Sequence, residues 1–486
     1  MKNGFIHIII GSFVWLVSCI QPTDVKISTE WPPVYPEYTD ITIPPNIAPL
    51  HFMLRNPADA IEVKIKGKST DMVVKANTRV RFSPKKWRSF LQAEKGQTVT
   101  VQVTARVEGK WIQYAPFRWH IAPEEVDPYL SYRLIEPGYE VWNKIQIRER
   151  HVESFSERVI ADNNLTEGSC MNCHVYGNQD PDLSFLHVRG GKGGTVLNRN
   201  GSLRKINTLG EGMISTAVYG NFHPSGRYIV FSTNIIIPEF HAFRGEKLEV
   251  YDTVSDLIVL DPDENRIITS PLVTETDALE TFPVFSADGK AIYFCRAESL
   301  SLPDSIHSLK YDLCRIPFDA VTGSWGEEIE TIYSGQEHGK SVCHPKTSPD
   351  GRFLSFTVAD YGTFPIWHRE ASLHWIDLQT GGLNPLEEVN SDKSDTYHSW
   401  SSNSRWFVFA SKREDGLYGK PYFCYVDSTG KAHKPFVLPQ RDPATYDFTL
   451  KSYNIPELST GPLPFQAADI EHWYEHTEAE RMNIVR

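Results

Sequence analysis

His223-Pro-Ser-Gly-Arg-Tyr-Ile-Val-Phe aligns with Ser286-Ala-Asp-Gly-Lys-Ala-Ile-Tyr-Phe, Ser348-Pro-Asp-Gly-Arg-Phe-Leu-Ser-Phe and Ser401-Ser-Asn-Ser-Arg-Trp-Phe-Val-Phe. Each copy reads as the end of one strand, a tight polar turn and a second, apolar strand. Gly351 has a physical reason, since the turn needs a residue that tolerates positive φ; the copy at Ser404 lacks that glycine. A fifth, weaker copy lies upstream, where His174-Val-Tyr-Gly-Asn-Gln-Asp-Pro matches Ala217-Val-Tyr-Gly-Asn-Phe-His-Pro. After each of the later copies comes another hairpin with an acidic turn, at Asp261, Asp319, Asp377 and Asp427. Four strands per unit at a spacing of about 40–60 residues is the pattern of a β-propeller. The fold class expected is therefore all-β.

The turn Ser348-Pro-Asp-Gly-Arg followed by an aromatic strand resembles the WD-like repeats of TolB-type propellers. That resemblance covers about 175–440 of a propeller placed at 175–460, and implies six blades where five repeats are visible. The sixth is expected from strands near 130–147 and 447–459, which would join the two ends of the domain. A helical tail at 461–486 puts Ile470, Trp473 and Tyr474 on one face, a pattern that packs against the body.

Upstream the period changes. Ile61, Val63 and Ile65 alternate with charged residues, as do Val99, Val101 and Val103 with polar ones, which points to an immunoglobulin-like β-sandwich over 47–123. It carries no catalytic constellation and reads as a spacer or docking module. Residues 124–174 read as a linker with a helix. Seven prolines between 20 and 49 give residues 20–46 the composition of a semi-rigid tether. The first nineteen residues read as a signal peptide: Lys2, an apolar run too short to span a bilayer, then Leu16-Val17-Ser18-Cys19. That ending resembles a lipobox, which implies acylation at Cys19 and a lipid-anchored protein of the cell envelope, with the outer membrane favoured. An ordinary signal peptide containing a cysteine is the plainer alternative.

The chain of 486 residues has a formal charge of −12 and no basic run, which argues against nucleic acid as a partner. Its chemistry is concentrated in Cys170-Met171-Asn172-Cys173-His174. C-x-x-C-H is the attachment signature of c-type haem. Two thiols three positions apart reach the two vinyl groups on one porphyrin edge, and the next residue supplies an imidazole to the iron. Composition alone would produce the match roughly 0.4 % of the time. A thioredoxin-like pair would want a βαβ setting, a zinc site would want a second Cys/His pair, and a plain disulfide leaves His174 unexplained. Cys170 and Cys173 are therefore the expected thioether residues and His174 the expected proximal ligand of one covalent haem c.

The alignment puts that motif at the start of the first repeat's inner strand, hence at one mouth of the propeller. Candidate distal ligands at that mouth are His241 and Met213 from the next blade and His187 on the paired strand. His223 sits in the turn at the opposite end and drops out. Cys295, Cys314, Cys343 and Cys424 read as small buried hydrophobes; a Cys295–Cys314 bridge stays open, because register is not readable from sequence. Gly190-Gly-Lys-Gly-Gly-Thr lacks the order and the following helix of a phosphate loop, and no G-x-S-x-G elbow exists.

Lipobox, sandwich, C-x-x-C-H and repeats together resemble Bacteroidetes lipoproteins described as TolB-like or cytochrome c-like. That implies electron transfer or redox sensing through one haem, with an envelope redox partner. The alternatives are a protein-binding scaffold with a structural haem and, last, a haem peroxidase-like enzyme, for which no distal acid/base group is visible. No small-molecule substrate is indicated.

Overall fold

The protein is described by a computed structural model over residues 24–136, 143–240 and 248–485. Six four-stranded antiparallel blades form the propeller. Blades 2 to 6 begin with the inner strands Met171–Gly177, Ala217–Phe222, Ala278–Phe285, Ser341–Thr347 and Asp395–Trp400, and each continues as a meander outward. The remaining blade combines the C-terminal strand Ser452–Ser459 with Tyr129–Ile135, Gln146–His151 and Glu157–Asp162. Pairing of Leu130 with Leu458 and Leu134 with Tyr453 closes the ring with strands from its two ends. The propeller thus starts at 129. Residues 124–174, expected as a linker with a helix, hold three strands of this blade and the start of the strand Met171–Gly177, and among their described residues the one helical element is a short 3₁₀ turn at Asn163–Leu165.

The repeated turns are built alike. Ser286 and Ser348 hydroxyls donate to Asp288 and Asp350, whose carboxylates accept the amides of Lys290 and Arg352. Gly289 and Gly351 take φ of 71° and 72°, and Ser404 adopts 58° without glycine's freedom. Helix Ala467–His476 buries Ile470, Trp473 and Tyr474 against blade 2 and its neighbour. After it, Glu480–Arg481 and Asn483–Val485 add parallel edge strands to blades 2 and 3.

A second feature recurs six times. Cys173, Tyr219, Phe282, His344, Tyr397 and Ile455 have φ between 49° and 55°, one in the middle of each inner strand. Register slips at each of those places in the pairing. A bulge with a non-glycine residue at positive φ is costly, and it persists where packing around it over-determines the backbone. Here it turns one side chain per blade into the axial channel.

The sandwich is larger than its alternation implied. Strands Lys26–Ile27, Val34–Tyr35 and Ile41–Ile43 belong to it, so the expected tether at 20–46 is folded chain from residue 26 onward. The prolines there are spaced by Val34, Tyr35, Tyr38, Ile41 and Ile43, all buried, and apolar burial outweighs the extended preference that composition suggested. Sandwich and propeller share one apolar cluster: Tyr38, Trp87 and Trp119 belong to the same core as Trp375, Trp400 and Trp406. Asp127 fastens the join, its carboxylate accepting from the Ser402 amide and hydroxyl, both at 2.7 Å.

Candidate functional site

The six bulged residues make the neck of the channel. Tyr219, Phe282, His344 and Tyr397 stand ring against ring, with centroid separations of 4.6, 4.2 and 4.5 Å. Cys173 and Ile455 complete the circle around a cavity of about 80 Å³. Burial dominates the electrostatics. It holds His398 down to about 3, with Lys346 adding to the effect, and puts His344 well below the usual range. His398 has both ring nitrogens buried without a partner, as does His174.

On the turn side the neck opens into a polar cup of about 310 Å³. Its floor carries Lys346 Nζ at 3.1 Å from Glu457 Oε1, while Ser399 donates to Glu457 Oε2 at 2.6 Å. Asn178, Gln179 and Asn221 add amide groups to the wall. The repeat alignment did not single out these residues. A usable signal existed: Pro283, Pro345 and Pro456 each follow a bulged residue, and proline inside a strand pattern marks a bulge.

The haem motif was expected ahead of the inner strand at one mouth; instead only Cys170 precedes the strand Met171–Gly177, Cys173 stands in the neck, and His174 lies beyond it toward the cup, because the strand starts three residues earlier than the repeat alignment implied. Cys170 is half-buried and packs beside the cluster of Ile145, Met171 and Trp473. Cys173 lies in a different cluster with Val175, Phe185 and Val218, and burial pushes its thiol up. Both thiols are free. His174 is 4 % exposed and burial pushes it down to about 4, so it stays a neutral imidazole. Asn172 pairs across the strand with His187, whose Nδ1 is 3.3 Å from Thr195 Oγ1. His187, Arg189 and the glycines at 190, 191, 193 and 194 wall a cavity of about 370 Å³. Met213 joins the cluster of Cys173, and its Sδ accepts the Gly210 amide at 3.2 Å. His223 is in the turn at the opposite end, as expected, with Nε2 at 3.0 Å from the Gly289 carbonyl. His241 and Cys19 lie outside the described residues.

For a covalent haem, the donor set fits. Two unpaired thiols precede a neutral imidazole with two unpartnered, buried nitrogens, the form in which histidine ligates iron. The space is divided, however. Ligand pockets run to about 300 Å³ and above, which the 370 Å³ cavity beside His187 reaches and the neck beside Cys173 does not. Among the described residues no group of three His, Cys, Asp or Glu is arranged to hold a bare metal ion. Cys295 faces Leu313 and Cys314 faces Phe294, so the two thiols are one register step apart, point to opposite faces and do not bridge.

No family model and no curated protein matches the chain. Solved structures do. The oligogalacturonate lyase in complex with manganese is 13 % identical, covering 64 % of this chain and 73 % of its own, with TM-score 0.36. The hydrazine synthase of Kuenenia stuttgartiensis is 12 % identical over 66 % of this chain, with TM-score 0.40, and this chain spans 48 % of its length. The periplasmic gluconolactonase of Pseudomonas aeruginosa is 14 % identical, covering 64 % of this chain and 96 % of that one, with TM-score 0.35. Blade count and closure rest on the sheet topology described above.

Proposed function

We propose that this chain is an exported, lipid-anchored propeller of TolB-like type that carries one covalent c-type haem and serves electron transfer or redox sensing in the cell envelope. The observation carrying the reading is His174. A buried imidazole nitrogen that makes no hydrogen bond of normal geometry costs a fold about 1–3 kcal/mol; a ligand bond would offset that cost at one nitrogen, and the backbone of Ser131 and Ile455 lies beside the ring. Cys170 and Cys173 would hold the porphyrin edge and His174 the iron, and His187 would be the preferred second iron donor, ahead of Met213. His187 walls a cavity of ligand size, whereas the Met213 sulfur already accepts a backbone amide. When bound, the haem supplies a one-electron couple whose potential follows from its axial ligands and burial. Burial around His174 keeps that nitrogen unprotonated and excludes water from it.

Mass spectrometry and pyridine haemochrome analysis of protein matured in a periplasm competent for c-type haem test the reading. One added haem, lost in Cys170→Ser and Cys173→Ser, is expected. An unmodified mass beside a loaded control cytochrome ends it. The second reading is a binding scaffold, and what favours it is the cup. Lys346, Glu457 and Ser399 present both charges and a hydroxyl at the end of a channel that aromatic rings seal below.

A further inference from the structure

The sandwich and the propeller carry opposite charge. Residues 24–123 hold 15 Lys and Arg against 9 Asp and Glu, a formal +6 in a chain whose total is −12. The excess is not spread evenly over the sandwich. Arg79 and Arg81 pair with Asp442 of the propeller, so they are spent at the join. The face turned away from the join belongs to the larger sheet. Cross-strand register puts Lys75, Glu62, Thr104, Gln113 and Ile27 in one row, from one edge strand to the other. The next rows put Val73 opposite Lys64, and Arg118 in line with Thr100 and Lys66. Directly paired residues share a face, so this surface presents Lys64, Lys66, Lys75 and Arg118 together with two uncovered apolar side chains. Ile27 is 67 % exposed and Val73 56 %. Glu62 bonds Lys64 and Lys75, and Asp71 stands opposite Lys66, which leaves the face net positive.

Where the chain enters this face matters equally. Six residues, 20–25, separate Cys19 from the strand Lys26–Ile27, which is the outermost strand of that sheet. Fully extended, they reach at most about 25 Å. Because residues from 26 onward are folded rather than a tether, a lipid on Cys19 holds this sheet within one short span of the bilayer. Trp31, 51 % exposed, follows the same strand, and tryptophan favours the boundary between water and lipid.

We propose that the outer face of the larger sandwich sheet is a seat for an anionic phospholipid surface, with Lys64, Lys66, Lys75 and Arg118 over the headgroups and Ile27, Val73 and Trp31 at their level. This rests on the reading of Cys19 as the lipid anchor. The acidic propeller then faces away from the membrane, which repels it, and the orientation of the whole molecule is fixed without a further contact.

Flotation of the chain from Ile20, which keeps every described residue, with vesicles of phosphatidylcholine containing about 30 % phosphatidylglycerol measures the seat directly. Binding to these vesicles, absent with pure phosphatidylcholine and weakened by raised salt, is expected. Lys64→Glu with Lys66→Glu and Lys75→Glu should weaken it at least tenfold while circular dichroism stays unchanged. Vesicle binding indifferent to that charge reversal, or no binding, overturns the inference and leaves the face to a protein partner. Radiolabelled palmitate incorporation by the full-length chain reads the anchor separately. Missing label with vesicle binding intact refutes the anchor alone, and label present with no vesicle binding refutes the seat alone.

Discussion

His398→Leu isolates the electrostatics of the channel neck. The His398 imidazole is 3 % exposed, both nitrogens lack a partner, and burial with the nearby Lys346 charge holds it down to about 3. The unfolded chain takes up a proton near the ordinary histidine value of about 6.5, while the folded chain stays neutral. The folded value is depressed, so the stability contributed by the neutral form is present above about 6.5 and is lost as pH falls toward 3. At about 1.36 kcal/mol per pH unit, the loss between pH 6.5 and 5.0 is about 2 kcal/mol. Leucine has a similar volume and nothing to protonate. It also removes two unmet polar atoms, so at pH 7.5 the variant is expected to be no less stable than the wild type. Urea unfolding followed by tryptophan fluorescence at pH 7.5 and 5.0 gives both quantities. His51, His187 and His374 are each held down to about 4 and steepen the acid loss of both proteins alike, so the difference belongs to His398 and to the share of the His344 depression that His398 causes. Wild type should lose about 2 kcal/mol more than the variant on acidification. Equal losses, or a variant several kcal/mol weaker at pH 7.5, would mean that His398 is charged or partnered in the fold, and the argument would fail.

Asp252 gives the opposite sign: burial raises it to about 7, so stability is lost as pH rises from about 4 to 7, and Asp252→Asn should gain at most about 4 kcal/mol at pH 8 and little at pH 4, read by the same denaturation series. Asp127→Ala leaves the Ser402 amide and hydroxyl without their carboxylate, and should cost about 2–3 kcal/mol in urea unfolding while sandwich and propeller still melt together, as their shared core requires. Two separate calorimetric transitions in the unaltered protein would contradict the single core. In haem-loaded protein, His187→Ala should convert a low-spin absorption spectrum to high-spin while Met213→Ala leaves it low-spin; the reverse result would assign the iron's second axial ligand to Met213.

Much of the propeller was legible locally. A turn such as Ser348-Pro-Asp-Gly-Arg is specified by its own residues, because the serine and aspartate satisfy the backbone within five positions and the glycine takes the positive φ. Four such turns at blade spacing, and the pairing of the last strand with the region near 130, follow from chain chemistry and ring closure. Cys170, Cys173 and His174 were equally legible as a motif, since their spacing alone carries the signal. The tether expectation at 20–46 fails because proline content describes an isolated chain, whereas Tyr38, Ile41 and Ile43 find partners far away in sequence. Apart from Pro283, Pro345 and Pro456, which mark three of its six bulges, the neck belongs to tertiary structure. Cys173, Tyr219, Phe282, His344, Tyr397 and Ile455 span five residue types, and they become equivalent only when six bulged strands meet on one axis. Residue types and local hydrogen bonds wrote the repeats; long-range packing, which no short window contains, decided which side chains face the channel and which thiols lie apart.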